Sequence, residues 1–547
     1  MNNIKHNLQA YISLAMICIM INFTAACAHA QSAAAKVATS NAPTNLTAEG
    51  HDSRVDLIWD RISDTDLDYF NVYRSESKNG PFTKINKKPH QYNVYSDFIG
   101  ENDKHFFYKV TILKEDGIES APSAIVSAKT FAMTDEELLT SIQKATFRFF
   151  WDFAHPVSGF ARAGTTHESH ARDICVSGGT GFGLFNLIVG AERDFITREQ
   201  AAKRTLKIVR FLQDKTPRYH GAWAHRFNGR TGETIPFFNP ADNGGDIVET
   251  SFLVEGILAS RQYFTQDNPI ENEIRKRSTQ LWEEVEWDWY LRYKDGKILY
   301  WHWSPDYGWK KNHPIHGFNE CMITYLLAIA SPTHPIPDES YNEGWIKDPK
   351  KYANGNSYFG YKKAVGLPTG GPGGPLFFTH YSYLGLDPNA ITDQFTNYFE
   401  HNKNMTLINR AHCIENPGEF KDYSALVWGL TSSENPKGYK AHAPIPGRDD
   451  GTITPTAALS AMPYTPEESI ATMKHFYHTY GKKLWGPFGF NDAFNPTQDW
   501  YSENLLAIDA GPIVPMMENY RTGLCWDIFM KNKEITDMLK RLNINTK

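Results

Sequence analysis

Residues 42–130 alternate with a period of two, whereas helical spacing governs nearly everything after residue 134. In the first stretch Val55, Leu57 and Trp59 lie two apart. Phe70, Val72 and Arg74 alternate with Tyr69, Asn71 and Tyr73, and Phe107 and Lys109 interleave with Tyr108 and Val110. With turns at Asn79-Gly80 and Asp116-Gly117, residues 42–130 predict a small β-sandwich. Thr134-Asp-Glu-Glu137 then reads as a capping box ahead of a stripe of Leu138, Ile142, Ala145, Phe149 and Phe153. Further helices are predicted over Thr197–Lys215, Ile270–Leu291, Phe318–Ala330, Pro388–Glu400, Pro455–Met462, Pro466–Tyr480 and Trp500–Ile508.

The centre of this pattern is the run from Asn239 to Ser260. A Gly-bearing loop with Asp242 and Asp246 enters a helix that is nearly all apolar, with Glu249 in its first turn. A helix apolar on every side is buried on every side. No short period repeats, which excludes an ordinary solenoid. Residues 134–547 leave room for roughly twelve helices. Buried helices joined by long Gly, Pro and aromatic-rich loops predict a closed ring of helical hairpins, an (α/α)6 toroid.

The N-terminus changes the expected location. Lys5 and His6 precede a mostly apolar stretch from Leu8 to Ala26, and Ala28-His-Ala30 fits a small-x-small cleavage site. Residues 1–30 therefore read as a signal peptide and 31–41 as a small-residue linker, giving an exported protein, periplasmic or at the cell surface. Lipidation of Cys27 is the alternative, weakened by Thr24 three residues earlier. No later stretch approaches ~18 uninterrupted apolar residues, so no transmembrane span is expected. Cys175, Cys321, Cys413 and Cys525 are scattered and read as buried free thiols.

A net charge of −6 without a basic run argues against a nucleic-acid partner. Aromatic residues make up 14 % of the chain, which suits a sugar-binding surface, because a pyranose offers its C–H face to a ring. Several chemistries lack their signatures. Gly370-Gly-Pro-Gly-Gly-Pro375 has no Gly-Lys-Ser/Thr ending and loses amide donors at its prolines. A Gly-x-Ser-x-Gly elbow is absent. His167-Glu-Ser-His170 lacks helical metal-ligand spacing, and Asp64-x-Asp66-x-Asp68 has Tyr69 where a calcium loop wants Gly. Neither a metal nor a cofactor is expected.

Carboxylates and rings nevertheless recur in the loops. Asp152 follows Phe149-Phe-Trp151, and Trp301, Trp303 and Trp309 crowd one loop ahead of Glu320. Arg410 and Tyr423 offer polar groups, and Asp449 and Asp450 stand at a turn before another apolar helix. Phe488–Phe494 carries Asp492, and Ala507–Ile513 carries Asp509. Any one of these carboxylates alone is more often structural, and Asp246 with Glu249 would make a capping box. Together they point to glycoside hydrolysis, in which one carboxylic acid protonates the departing oxygen and one carboxylate activates water. Glu249 is the expected acid. A helix N-terminus favours its ionised form, while burial and the charges of Asp246 and Asp242 oppose this. Asp449 or Asp450 is the expected base.

Two resemblances sharpen these expectations. Pro43 with Leu46, Trp59, Tyr69-Phe-Asn-Val-Tyr-Arg74, Tyr108-Lys-Val110 and Glu119-Ser-Ala-Pro-Ser123 resemble a fibronectin type III domain. Phe150-Trp-Asp-Phe-Ala-His-Pro156, Gly178-Gly-Thr-Gly-Phe-Gly183, Gly244-Gly-Asp-Ile-Val-Glu249, Trp301-His-Trp-Ser-Pro305, Asp450-Gly-Thr-Ile-Thr-Pro455 and Glu518-Asn-Tyr-Arg-Thr-Gly523 resemble the glucoamylase-like domain of glycoside hydrolase family 144. That resemblance implies an (α/α)6 barrel and inverting hydrolysis of β-1,2-glucan to sophorose or longer sophorooligosaccharides. It also implies an acidic pocket of Asp242, Asp246 and Glu249 with Glu320, and it leaves the base open. Asp152, Trp301, Trp303, Trp309, Arg410 and Tyr423 are the expected substrate contacts, in a monomer. Internal and chain-end cleavage stay open. The rival readings are an exo-acting glucosidase of glucoamylase type, a polysaccharide lyase, and a non-catalytic glucan-capture protein.

Overall fold

Among the described residues, the N-terminal unit holds seven strands, β1 (Thr47–His51), β2 (Arg54–Ile58), β3 (Tyr69–Ser75), β4 (Thr83–Lys84), β5 (Val94–Phe98), β6 (His105–Leu113) and β7 (Val126–Lys129). They form two sheets, ordered β1-β2-β5 and β4-β3-β6-β7. The architecture comes from a computed structural model that describes residues 42–61, 69–114, 117–165, 172–367 and 370–544. The expected signal peptide, the linker, Cys27, the Asp64–Asp68 run, Asp116 and His167–His170 lie outside the described residues.

The two-residue alternation sets this unit's core. Val55, Leu57 and Trp59 from one sheet, and Phe70, Val72, Tyr108 and Val110 from the other, are all buried. Trp59 meets Phe70 edge to face at 5.0 Å, joining the sheets. Register is fixed by the antiparallel pairing of β3 with β6, Tyr69 opposite Leu113 and Ser75 opposite Phe107. Arg74 breaks the apolar pattern and ion-pairs with Asp97 at 2.9 Å.

The second, helical unit begins with the capping box read from the sequence. Thr134 and Glu137 cap the helix Asp135–Trp151 reciprocally. Two kinds of helix follow. Ser177–Glu192, Ile247–Tyr263 and Met322–Ala330 are buried almost throughout; in Ile247–Tyr263 every residue except Gln262 is buried. Arg198–Asp214, Pro269–Glu283 and Lys533–Arg541 bury one stripe and expose the rest. The amphipathic helices pack outside the apolar ones, as an apolar surface requires. Truncating a fully buried side chain such as Leu253 to Ala in the inner set would cost about 2–5 kcal/mol.

Four predicted helices are corrected. Residues 388–397 form turns, with Asp393 accepting from the amides of Phe395 and Thr396, and the helix starts only after Asn397 caps it, running Tyr398–Glu415. Residues 500–508 hold a strand, Trp500–Tyr501, paired with Phe494–Asn495, and only a short helix, Ala507–Ala510. Phe318 precedes its helix, which begins at Met322 after the Asn319 side chain accepts from the amide of Cys321. The Pro269–Glu283 helix stops short, and Trp287–Leu291 forms a separate 3-10 turn.

Candidate active site

A two-residue ladder positions the acidic loop. Gly245 lies opposite Trp303 and Asp246 opposite His302, so the chain enters the helix Ile247–Tyr263 from an extended conformation. Asp246 is its N-cap, with Oδ1 accepting from the amides of Val248 at 3.1 Å and Glu249 at 2.9 Å. The box is only half made. Glu249 does not reach back; its Oε2 accepts from the amide of Gly178, 2.9 Å away in the first turn of the helix Ser177–Glu192.

Glycine makes that approach possible. A Cβ on Gly178 would stand 2.5 Å from Glu249 Oε2, and one on Gly181 would stand 2.1 Å from the carbonyl oxygen of Phe252. The two apolar helices thus meet backbone to backbone, and the carboxyl of one is fastened to the N-terminus of the other.

Charge is distributed unevenly over this cluster. Nδ1 of His225 lies 3.6 Å from Asp246 Oδ2 and 3.8 Å from Glu249 Oε1. Burial disfavours the imidazolium, but Glu249 and Asp246 outweigh it and raise the His225 pKa. Asp242 pairs with Nε2 of His302 at 3.0 Å and with Lys311 at 2.7 Å. Although burial pushes the other way, these two partners hold its carboxyl well below the usual range. Burial pushes Glu249 up, with Asp246 and Asp242 adding to the shift and His225 and the Gly178 amide opposing it. Glu320 is pushed up to about 7 by burial, with Glu249 and Asp246 adding to the shift and its own backbone amide opposing it.

The structure therefore brings Asp242, Asp246, Glu249 and Glu320 into one electrostatic cluster. Trp301 belongs with them, its indole N–H donating to Asp246 Oδ2 at 3.1 Å and its ring stacked on His313 at 5.0 Å. Trp303 turns its ring edge-on to His220 and Trp289, and Trp309 packs edge-on against Tyr290 and Tyr300. Asp152 is the C-cap of the helix Asp135–Trp151. Asp449, Asp450, Tyr423 and Arg410 gather elsewhere in the chain's hydrogen-bonding pattern. Asp449 accepts from Nε2 of His412 and from the Tyr423 hydroxyl, both at 2.8 Å. Asp450 faces His442 at 3.1 Å and Lys440 at 3.3 Å; burial opposes its charge, but His442, Thr452 and Lys440 keep its carboxyl well below the usual range. Arg410 donates to the carbonyl of Ala425 at 3.2 Å.

Sequence reasoning passed over the third acidic group. Asp509, 2 % exposed, accepts from the Tyr381 hydroxyl at 3.3 Å, and Asp492 lies beside it. Burial first, then Glu434, pushes Asp509 up to about 7, against the hydrogen bonds of Asp492 and Tyr381. Asp509 and Glu249 both push up the hydroxyls of Tyr381 and Tyr439, and the Tyr381 ring packs edge-on against Phe252 of the helix that carries Glu249, at 5.5 Å. Both aspartates stand in loops noted for their acids and rings, but nothing local to either loop links it to residue 249. His225 carried no sequence signal.

Among the described residues no group of three or more His, Cys, Asp or Glu is arranged to hold a metal ion, and no helix is long and apolar enough to cross a membrane. Cys175, Cys321, Cys413 and Cys525 are buried and unbridged.

Comparison with known proteins decides the family. A family model described as "Putative glucoamylase" matches residues 312–533. An exo β-1,2-glucooligosaccharide sophorohydrolase (non-reducing end) of Parabacteroides distasonis is 44 % identical over 527 residues, 92 % of this chain and 71 % of the relative. The chain belongs to the bacterial β-1,2-glucanases of glycoside hydrolase family 144. The crystal structure of a β-1,2-glucanase from the same organism matches this glycoside hydrolase with a TM-score of 0.88 at 43 % identity, covering 92 % of this chain and 73 % of that one. An endo-β-1,2-glucanase from Chitinophaga pinensis, solved with sophorotriose and glucose, matches with a TM-score of 0.72 at 48 % identity, covering 75 % of this chain and 98 % of that one.

Proposed function

We propose that this glycoside hydrolase cleaves β-1,2-glucan with inversion, releasing sophorose or sophorooligosaccharides. The observation that carries the reading is the meeting of Asp246, Glu249 and Glu320, with Glu320 facing burial and two carboxylates rather than a cation. A carboxyl raised to about 7 keeps its proton near neutrality, as a general acid must. We assign proton donation to Glu320. Glu249 has the Gly178 amide and His225 favouring its charge, so it serves beside Glu320, raising that carboxyl's pKa and binding sugar hydroxyls.

Asp509 takes the proton from the attacking water. It is favoured over Asp449 and Asp450 because those two already carry histidine partners, whereas Asp509 bonds the hydroxyl of Tyr381, whose ring packs against Phe252 of the helix that carries Glu249. Trp301 holds Asp246 and offers a sugar platform; Trp303, Trp309, Arg410, Tyr423 and Asp152 are assigned to outer contacts. The reading takes the helical unit as an (α/α)6 barrel, with its fully buried helices inside and its amphipathic ones outside, and takes the N-terminal unit as a fibronectin type III-like spacer. Export rests on residues 1–30 as a signal.

Incubation with long linear β-1,2-glucan, with products sized and the anomer of the new reducing end followed by NMR, tests this. Disaccharide alone from the first minutes indicates chain-end action, like that named for the Parabacteroides distasonis relative, and a ladder indicates internal cleavage. An α-anomer is expected in either case, and binding without turnover would leave the glucan-capture reading.

A further inference from the structure

The hairpin strand Ser432–Asn435, the loop before Phe494 and the helix Ala507–Ala510 bring Glu434, Asp492 and Asp509 together. Asp492 is 5 % exposed and Asp509 2 %. Each uses one oxygen in an ordinary way. Asp492 Oδ2 accepts from the Glu434 amide at 2.7 Å, and Asp509 Oδ1 from the Tyr381 hydroxyl. The other two oxygens, Asp492 Oδ1 and Asp509 Oδ2, are buried without a donor, although the two carboxyls are within hydrogen-bonding reach of each other. Glu434 is occupied elsewhere, accepting from the Ser502 hydroxyl and the Asn504 side-chain amide.

Two buried carboxylates in contact do not both ionise, since the second charge is repelled by the first and stripped of water. A proton between the two unpartnered oxygens satisfies both atoms at once. The ionisable groups facing the pair are Glu434 from the hairpin, Tyr381 and Tyr439, and the two tyrosines also feel the charge of Glu249. The proton's owner follows from the surroundings: burial, then Asp509 and Glu434, push Asp492 far up, while Asp509 rises only to about 7.

We propose that Asp492 carries a proton on Oδ1 and donates it in a hydrogen bond to Oδ2 of Asp509, acting as the positioning residue that keeps Asp509 a fixed, ionised proton acceptor for water. This rests on the reading of Asp509 as base.

Asn at position 492 preserves the arrangement. The Glu434 amide requires an oxygen on its side, which turns the new NH2 toward Asp509. Alanine removes the donor and leaves the Asp509 charge buried without it, so the Asp509 pKa rises and activity fails at a higher pH as the solution is acidified. In kcat profiles on β-1,2-glucan, Asp492→Asn should keep the acidic limb in place with a kcat lowered roughly three- to tenfold. Asp492→Ala should move that limb up by about one pH unit or more and lower kcat roughly 100-fold at pH 6, with KM little changed. Infrared spectra at pH 8 give a readout that does not depend on turnover or on the alanine variant folding: the wild type should show a protonated-carboxyl stretch missing from Asp492→Asn. Equal loss in both variants with an unmoved limb, unchanged profiles in both, or an identical carboxyl stretch would each overturn the proposal. Asp509→Asn separates the two ideas. Full activity in that variant removes Asp509 as base, while the infrared comparison still reports whether Asp492 holds a proton.

Discussion

The indole N–H of Trp301 donates to Asp246 Oδ2 at 3.1 Å, while Oδ1 of the same carboxylate caps the helix that carries Glu249. One aspartate thus ties an aromatic ring to the helix that carries Glu249. Trp301→Phe keeps a ring and removes the donor, leaving Asp246 Oδ2 to His225 and water. The expected result is a fall of about tenfold or more in kcat/KM on β-1,2-glucan with a small change in thermal midpoint, because the cap through Oδ1 survives. Steady-state kinetics alongside calorimetry would check it.

Glu320→Gln removes the proposed donor without changing shape. kcat should fall by about 10²–10⁴-fold while the substrate still binds, so calorimetric titration with a sophorooligosaccharide should retain most of the affinity. Glu249→Gln should lower kcat as well. It should also weaken binding, because the single oxygen of Gln is taken by the Gly178 N–H, leaving an NH2 where the carboxylate offers an acceptor to a sugar hydroxyl.

Glu320 also makes stability depend on pH. Its folded pKa, about 7, lies above the ordinary glutamate value, so the folded state holds the proton more tightly than the unfolded state. Stability contributed by the protonated form is whole below the unfolded pKa and is lost as pH rises through about 7. Glu320→Gln should therefore be more stable than the wild type at pH 8, by at most about 3 kcal/mol, and near it at pH 4. Thermal melts at both values measure this. A stabilised, inactive variant is what a site built at a cost to folding predicts.

Two glycines separate site geometry from folding. Gly178→Ala places a methyl against the Glu249 carboxylate, the movable end of a side chain; the protein should fold, lose about 1–3 kcal/mol, and lose most activity. Gly181→Ala meets the backbone of Phe252 and should abolish soluble expression. Circular dichroism and activity on purified Gly178→Ala, with expression trials for Gly181→Ala, distinguish the two effects.

Legibility in the sequence followed the range of the interaction. The two-residue alternation around Trp59 and Phe70 and the apolar helix Ile247–Tyr263 are periodic, so pattern alone located them. The Thr134 capping box is local and was equally plain. The helix Tyr398–Glu415 was missed because Asp393 and Asn397 stop and restart the chain through side-chain bonds that apolar periodicity does not register. Within the site, Asp242, Asp246 and Glu249 share eight residues of chain and a family motif. Asp509 reaches the helix of Glu249 from 260 residues away by way of Tyr381, and His225 reaches Glu249 through a loop with no acidic pattern. Such convergence is a property of the packed chain.

Fastening Glu249 to the first turn of a neighbouring helix has a consequence for how this enzyme can diversify. The seam between the two helices has no slack, since a methyl at Gly181 or Gly256 would already strike the other helix's backbone, so neither helix can rotate without breaking the other's hold. Drift in chain-length preference is then left to the loops that carry Trp303 and Trp309, while Glu249 stays where the interhelical seam puts it.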